Sequence, residues 1–272
     1  MSDRECTAFL SWAIPEMRLS WRGYRNVRRQ VCKRLAQRMA EVGVQSTAGY
    51  RDHLAAHPDE WQRLRRLCRV TISRFYRDGG VFRTLGAEVL PRLAELARRG
   101  GREQITVWSA GCAGGEEVYT VTLVWHLEAP LTVRGVRLRI LGTDVDAEEL
   151  ERARLGRYPA GALRELPAEI LSAGFDEEEV GVFRVRDRFR DGVDFRCSDL
   201  AEEMPDGPFD LILCRNLAFT YFDERLQGET AARFAARMTP GGALVVGRRE
   251  TVPEVPGLAV LSASEGIYRR DR

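Results

Sequence analysis

Ile105-Thr106-Val107-Trp108-Ser109-Ala110-Gly111-Cys112-Ala113-Gly114-Gly115-Glu116-Glu117 is the stretch on which the reading of the fold turns. A β-branched run gives way to small residues and glycines, and the apolar run Val118 to Trp125 beyond them reads as a buried helix. Strand, glycine turn and helix form the unit with which α/β folds cradle nucleotides.

The glycines are spaced G-x-x-G-G rather than in the dinucleotide pattern G-x-G-x-x-G, and two carboxylates follow at once. Acids at a helix N-terminus repel a pyrophosphate, which seeks backbone N–H groups and the positive end of the dipole. The ligand expected here is an adenosine without phosphates and with a cationic tail, which describes S-adenosylmethionine.

Outward from that turn, Val136 to Leu141 alternates as a second strand and ends in Gly142-Thr143-Asp144-Val145-Asp146. A carboxylate at the end of the second strand is placed to accept both hydroxyl protons of a ribose, and a strand-end Asp also caps the helix Ala147 to Leu155. Residues 157 to 195 break the rhythm: a polar, acid-rich stretch precedes strands at Val182 to Arg186 and Val193 to Cys197. Phe209 to Cys214 is nearly continuously apolar, as in a strand covered on both faces. Helix Glu224 to Met238, the turn Pro240-Gly241-Gly242, strand Ala243 to Val246 and a strand pair near 258–262 and 266–269 complete the chain. The alternation predicts an α/β fold with a doubly wound, mostly parallel sheet.

Before the joint Thr71 to Gly80 the chain reads as helices only, so a helical domain of residues 1–78 is expected ahead of an α/β domain of 79–272. One helix lies around Phe9, Leu10 and Ala13 and is closed by Pro15; others are expected at Trp21 to Val42, Thr47 to Ala56 and Pro58 to Val70. On the second, Val27, Val31, Leu35, Met39 and Val42 share one side at helical spacing. Opposite them Arg22, Arg25, Arg29 and Lys33 form a basic stripe, with Arg34 and Arg38 at its margin and Glu41 as the balancing acid. A solvated helix face accounts for such a stripe; so does an acidic partner, whose binding would weaken with salt.

The 272 residues carry 42 Lys and Arg against 40 Asp and Glu, so no global field points to nucleic acid or a membrane. Six scattered cysteines without a C-x-x-C pair predict neither disulfides nor a zinc site, and three histidines without ligand spacing predict no metal. No signal peptide and no run near the ~20 apolar residues of a membrane span is present, so a reduced, cytoplasmic setting is expected.

In this order the motifs resemble the bacterial chemotaxis-receptor methyltransferases of the CheR type, which esterify receptor glutamates with S-adenosylmethionine. The resemblance spans about residues 20 to 270. It rests on Trp108-Ser109-Ala110 with Gly115-Glu116-Glu117-Val118-Tyr119, on Thr143-Asp144-Val145-Asp146, on Gly207-Pro208-Phe209-Asp210, and on Cys214-Arg215-Asn216 with Tyr221-Phe222-Asp223. It implies a class I methyltransferase-like sheet with a small antiparallel β insertion at about 175–197. It also implies donor contacts from Thr71, Ser73 and Arg77 in the joint, from Gly111 and Glu117 at the turn, from Asp144 at the ribose, from Asp199 and Leu200 near the adenine, and from Arg215 and Asn216. Arg77 and Tyr221 would stand at the reaction, and the stripe Arg22, Arg25, Arg29 and Lys33 would lean on an acidic receptor bundle. Some relatives grip a receptor tail with the insertion; the loop Asp176 to Gly181 is short, and no such tether is expected.

The chain departs from the family pattern at three places. Thr71 and Ser73 stand where Asn-x-Thr is usual, Tyr221 follows Asn216 by five residues instead of four, and Arg248-Arg249-Glu250 replaces His-Ser-Glu.

A sulfonium methyl is already activated, so its transfer is an in-line displacement governed by position. A glutamate with a reference pKa of ~4.3 is ionised at neutral pH and needs no general base. Nucleic-acid methylation is disfavoured, because neither Asp/Asn-Pro-Pro-Tyr nor Pro-Cys is present. Two other readings stay open: the same donor with a different protein or small-molecule acceptor, and a non-catalytic donor-binding module docking on an acidic partner. A monomer is expected, with S-adenosylhomocysteine as product.

Overall fold

Ser2 starts the first helix of the computed structural model, which describes residues 1–70, 73–130, 133 and 135–271. Its hydroxyl accepts from Glu5 N at 3.2 Å while its own N–H donates to the Glu5 carboxylate at 2.7 Å, a reciprocal cap that satisfies donors at the helix end. This helix, α1 (Asp3–Glu16), buries Cys6, Phe9, Leu10, Ala13 and Ile14 and ends one residue past Pro15. It belongs to the first of two units, Met1–Ile72 with Thr220–Gln227; the second is Ser73–Phe219 with Gly228–Arg272.

The single helix expected over 21–42 is broken into α2 (Trp21–Tyr24) and α3 (Arg28–Glu41). The returning segment explains the break: Ser20 N donates to Tyr221 O at 2.7 Å, Tyr24 packs on Tyr221 with ring centroids 5.0 Å apart, and a Cβ on Gly23 would lie 2.2 Å from Thr220 O. The apolar side of α3 is as the spacing predicts, with Val31, Leu35 and Met39 buried. Helices α4 (Thr47–Ala56) and α5 (Glu60–Leu67) follow.

Glu60 is buried among them, receiving both Arg38 Nε at 2.9 Å and Nη2 at 2.8 Å, with the Tyr50 hydroxyl at 2.6 Å. These donors, Arg38 first, hold its carboxyl down to about 2.

A disulfide joins Cys6 of α1 to Cys32 of α3, contrary to the expectation of free thiols throughout. The two cysteines are 26 residues apart, and their meeting is a product of helix packing that no local spacing announces.

The second unit is built on a seven-stranded sheet. Its strands are β1 (Gln104–Ala110), β2 (Arg137–Asp144), β6 (Val193–Cys197), β7 (Phe209–Cys214), β8 (Met238–Val246), β9 (Leu258–Ser262) and β10 (Ile267–Arg270), in the order β6-β2-β1-β7-β8-β10-β9. Strands β6 to β8 of that order run parallel, and β10 is antiparallel to both β8 and β9. Its helices are α6 (Gly79–Thr84), which passes through a wide π-type turn into α7 (Leu90–Arg99), then α8 (Glu116–Leu123), α9 (Ala147–Leu155) and α10 (Ala168–Gly174); α11 (Ala218–Tyr221) and α12 (Glu224–Ala236) are divided between the units, since residues 220–227 belong to the first. The expected turn Pro240-Gly241-Gly242 lies inside β8, where the ladder with β7 shifts register.

A small antiparallel sheet, β3-β5-β4, comprises β3 (Arg157–Pro159), β4 (Phe175–Glu179) and β5 (Val182–Val185). The insertion expected over about 175–197 is thereby corrected at its end: Val193–Cys197 pairs parallel with β2 as the edge of the large sheet. Val193 and Phe195 are half-buried while Asp194 and Arg196 are exposed, and Phe195 packs on Tyr119 of α8, so one face of this strand has a helix to cover and the other has water.

Asp210, buried in β7, ties the sheet's other end. It accepts a two-pronged pair from Arg102 at 2.7 and 2.9 Å, Thr106 N at 2.9 Å and Thr239 Oγ1 at 3.1 Å. Among the described residues no helix is long and apolar enough to cross a membrane.

Candidate functional site

The parallel pairing of β6, β2, β1 and β7 brings their C-terminal loops to one edge, where open α/β sheets hold their ligands. At the end of β1 the chain turns through Gly111 (φ 77°), Ala113 (φ 48°) and Gly115 (φ 84°). A side chain at Gly111 would suffer both the left-handed backbone and a contact of 2.3 Å with Leu217.

Four of the five amides of the turn 111–115 are committed to the protein. Gly111 N and Cys112 N donate to Thr143 O at 2.7 and 2.9 Å, Gly115 N donates to Cys112 O at 2.9 Å, and Ala113 N donates to Asp144 Oδ2 at 2.9 Å. A phosphate nest needs such N–H groups turned to the ligand; these four are not.

Asp144 ends β2 with its carboxylate fixed from three sides, since Oδ1 also accepts Val145 N at 2.7 Å and Asp146 N at 3.0 Å. A carboxylate offers about four acceptor positions, so capacity for a hydroxyl remains. The helix cap expected in this loop is Asp146, whose Oδ1 accepts from Glu148 N and Glu149 N.

The paired acids after the glycines have separate fates. Glu116 turns inward, is buried, and pairs with Arg152 at 3.0 Å. Burial also raises the carboxyl of neighbouring Glu149, which shares that arginine. Glu117 accepts the Ser109 hydroxyl at 2.7 Å and Arg215 Nη1 at 3.3 Å.

Arg215 is the hub. Its side chain is 4 % exposed, its Nη2 reaches Asp78 Oδ2 at 2.8 Å and Arg77 O at 2.9 Å, and its guanidinium lies 5.1 Å from the Phe82 ring centroid. Asp78 and Glu117 thus share one cation, and the joint is fastened to the loop after β7.

The joint itself is set by the small sheet and by α8. Phe75 packs edge-on against Tyr158 and Phe175, with centroids 4.7 and 5.2 Å away, and Tyr76 N donates to Thr120 Oγ1 at 3.2 Å. Tyr158 also donates its hydroxyl to Gly114 O at 2.6 Å, so one side chain supports both joint and glycine turn. Arg77 lies between Tyr76 and Asp78, both left-handed at φ 57° and 61°. With Ala113 and with Asn216 at φ 56°, they put costly backbone around this edge, at ~1–3 kcal/mol each.

Asn216 is held by Glu250, whose Oε2 accepts Asn216 N at 2.7 Å and Gly247 N at 2.6 Å. Asp199, after β6, accepts Ala201 N at 2.9 Å through Oδ1, and Leu200 beside it is buried. Ser73 is half-buried at the start of the joint. Thr71 lies outside the described residues. Cys112 and Cys214 are buried thiols pushed well above their ordinary range, chiefly by burial, and so are packing groups, not nucleophiles.

The second unit thus brings together Ser73, Arg77, Gly111, Glu117, Asp144, Asp199, Leu200, Arg215 and Asn216. Tyr221 belongs to the first unit, against Tyr24. So does the basic stripe, where Arg22, Arg25, Arg29 and Lys33 are all exposed. Its margin is spent on the fold: Arg34 donates to the Leu67 and Arg69 carbonyls, and Arg38 holds Glu60.

Comparison with known proteins gives this edge its name. The model described as CheR methyltransferase, SAM binding domain, matches residues 71–266. The chain belongs to the CheR methyltransferase family. A probable chemotaxis protein methyltransferase of Rhizobium etli is 33 % identical over 228 residues, covering 82 % of this chain and 84 % of that protein. The chemotaxis protein methyltransferases of Salmonella typhimurium and Escherichia coli are each 32 % identical over 230 residues, covering 82 % of this chain and 76 % of theirs. Among solved structures, the N-methyltransferase NodS of Bradyrhizobium japonicum with S-adenosylhomocysteine covers 66 % of this chain and 86 % of its own at 15 % identity and a TM-score of 0.37.

This CheR methyltransferase takes S-adenosylmethionine as its cofactor. Its residues fit that group: a glycine turn with four of its amides already bonded within the protein, a carboxylate fixed at the end of β2 with acceptor capacity to spare, and the acid Glu117 at the start of α8.

Sequence reasoning missed Asp78, Ser109, Arg152 and Tyr158, which act through contacts made only in the fold. Glu250 had a signal in Arg248-Arg249-Glu250, because only its acid matches the family's His-Ser-Glu.

Proposed function

We propose that this methyltransferase esterifies glutamate side chains of an acidic, helical, receptor-like protein and does so as a monomer. The observation that carries the donor half is the turn 111–115, where four of five amides are bonded within the protein and Asp144 is adjacent, an arrangement that suits a nucleoside lacking phosphates. The acceptor half is supported by the relatives named chemotaxis protein methyltransferases and by the exposed stripe Arg22, Arg25, Arg29 and Lys33.

When bound, S-adenosylmethionine supplies a methyl group already activated by its sulfonium charge. In this reading Asp144 accepts the ribose hydroxyls, Glu117 faces the cationic tail, and Asp199 with Leu200 borders the adenine. Gly111, Ser73 and Asn216 line the donor. Arg215, whose buried Nε has no acceptor among the described residues, and Arg77 serve the carboxylate groups, of the donor or of the acceptor. The acceptor oxygen is already ionised near neutral pH, so the protein's work is to align it opposite the sulfur and to keep water out.

The test is incubation with labelled donor and the cytoplasmic fragment of a chemotaxis receptor. Label released as methanol by mild base is expected; label stable to base would redirect the reading to N-methylation or ether formation, and donor binding without product would favour a docking module.

A further inference from the structure

We propose that Arg248 and Arg249 form a carboxylate-reading patch on the acceptor side, selecting segments that carry further acids about one helical turn from the reacting glutamate. This rests on the acceptor reading above and adds to it what surrounds the reacting residue.

The placement follows from the sheet. β8 runs parallel to β7, so its end at Val246 lies on the same edge as the loop Arg215–Asn216. Beyond it, Gly247 to Glu250 is a four-residue turn closed by Glu250 N donating to Gly247 O at 2.8 Å. The buried Glu250 carboxylate then receives Gly247 N and Asn216 N on a single oxygen, which locks the turn to the donor-site loop. The fit is close, since a Cβ on Gly247 would sit 2.9 Å from Asn216 Oδ1.

Arg248 and Arg249 occupy the two central positions of that rigid turn, and both are exposed. Neither side chain makes a hydrogen bond or ion pair among the described residues, whereas Arg152, Arg157, Arg184 and Arg215 are each shared between two acids. Two adjacent guanidiniums repel each other, and a carboxylate relieves that repulsion while satisfying their planar forks. Because the turn is fixed to Asn216, a carboxylate held there has a defined offset from the transfer site. The patch therefore reads the register of the acceptor as well as its charge.

The experiment uses the full chain and two synthetic helical peptides with one central glutamate. One carries aspartates three and four residues to either side, the other asparagines. The wild type is expected to show a KM about tenfold lower for the aspartate peptide at low salt, with the gap narrowing at high salt. In the exposed double variant Arg248→Ser/Arg249→Ser the gap should fall to about twofold or less, with affinity for S-adenosylhomocysteine and kcat at saturating peptide unchanged. Full discrimination in the variant overturns the inference, as does a kcat loss that is equal on both peptides. If the wild type esterifies neither peptide, the acceptor reading fails and this inference with it; esterification of both with an unaltered variant removes the inference alone.

Discussion

Replacing Arg215 by methionine keeps most of the side-chain volume and removes the cation that Glu117 and Asp78 share. Glu117 is 15 % and Asp78 33 % exposed, against 4 % for the arginine, so neither acid is fully hydrated once its partner is lost. Breaking a buried pair costs ~3–5 kcal/mol, and the partial access of water to Asp78 brings the expected loss to the lower end, about 3 kcal/mol. For a chain of this size that is a fall of about 6–12 °C in Tm. A freed Glu117 would no longer be aimed at the donor's cationic tail; losing one charged hydrogen bond of ~1.5–3 kcal/mol weakens binding about 10- to 100-fold. Arg215→Lys should fall between, since an ammonium serves one carboxylate as a point charge but cannot fork to two. Thermal melts and calorimetric titration with S-adenosylhomocysteine measure both effects. A methionine variant with wild-type Tm and an affinity within about twofold would refute the reasoning.

Asp144→Asn should weaken S-adenosylhomocysteine binding about 10-fold or more, because an amide replaces one acceptor oxygen beside Ala113 N; titration of the variant checks it, and unchanged affinity would remove Asp144 from the ribose. Glu60 has a folded pKa of about 2, below its ordinary 4.5, so its contribution is complete above pH 4.5 and is lost as pH falls toward 2. Denaturant melts across that window should show a loss on the order of 3 kcal/mol that is absent in Glu60→Gln. The Cys6–Cys32 disulfide closes a loop of 26 residues, so Cys6→Ser/Cys32→Ser and reductant-treated wild type should melt alike and about 3 kcal/mol less stable than the oxidised chain.

Much of the second unit was legible because its signals are local. The β-branched run before Gly111, the apolar Phe209–Cys214 and the helix Ala147–Leu155 behind Asp146 each carry their own periodicity or cap, and the structure keeps them. What escaped depends on distant partners. The break after Tyr24 comes from the segment at 220–221, the disulfide from the packing of α1 on α3, and the place of Val193–Cys197 from a ladder with β2. The acid pair shows the same limit within the site. Sequence placed Glu116 and Glu117 correctly at a helix N-terminus, but only the positions of Arg152 and Arg215 decide that one is spent inside and the other faces the edge.

Calorimetric titration of the wild type with S-adenosylhomocysteine, set beside NAD and ATP under the same conditions, bears most directly on a turn that keeps four of its five amides for the protein. Saturable binding of the first at micromolar affinity with no heat from either phosphate-bearing nucleotide is the predicted result. Comparable binding of a diphosphate, competing with S-adenosylhomocysteine for one site, would contradict it.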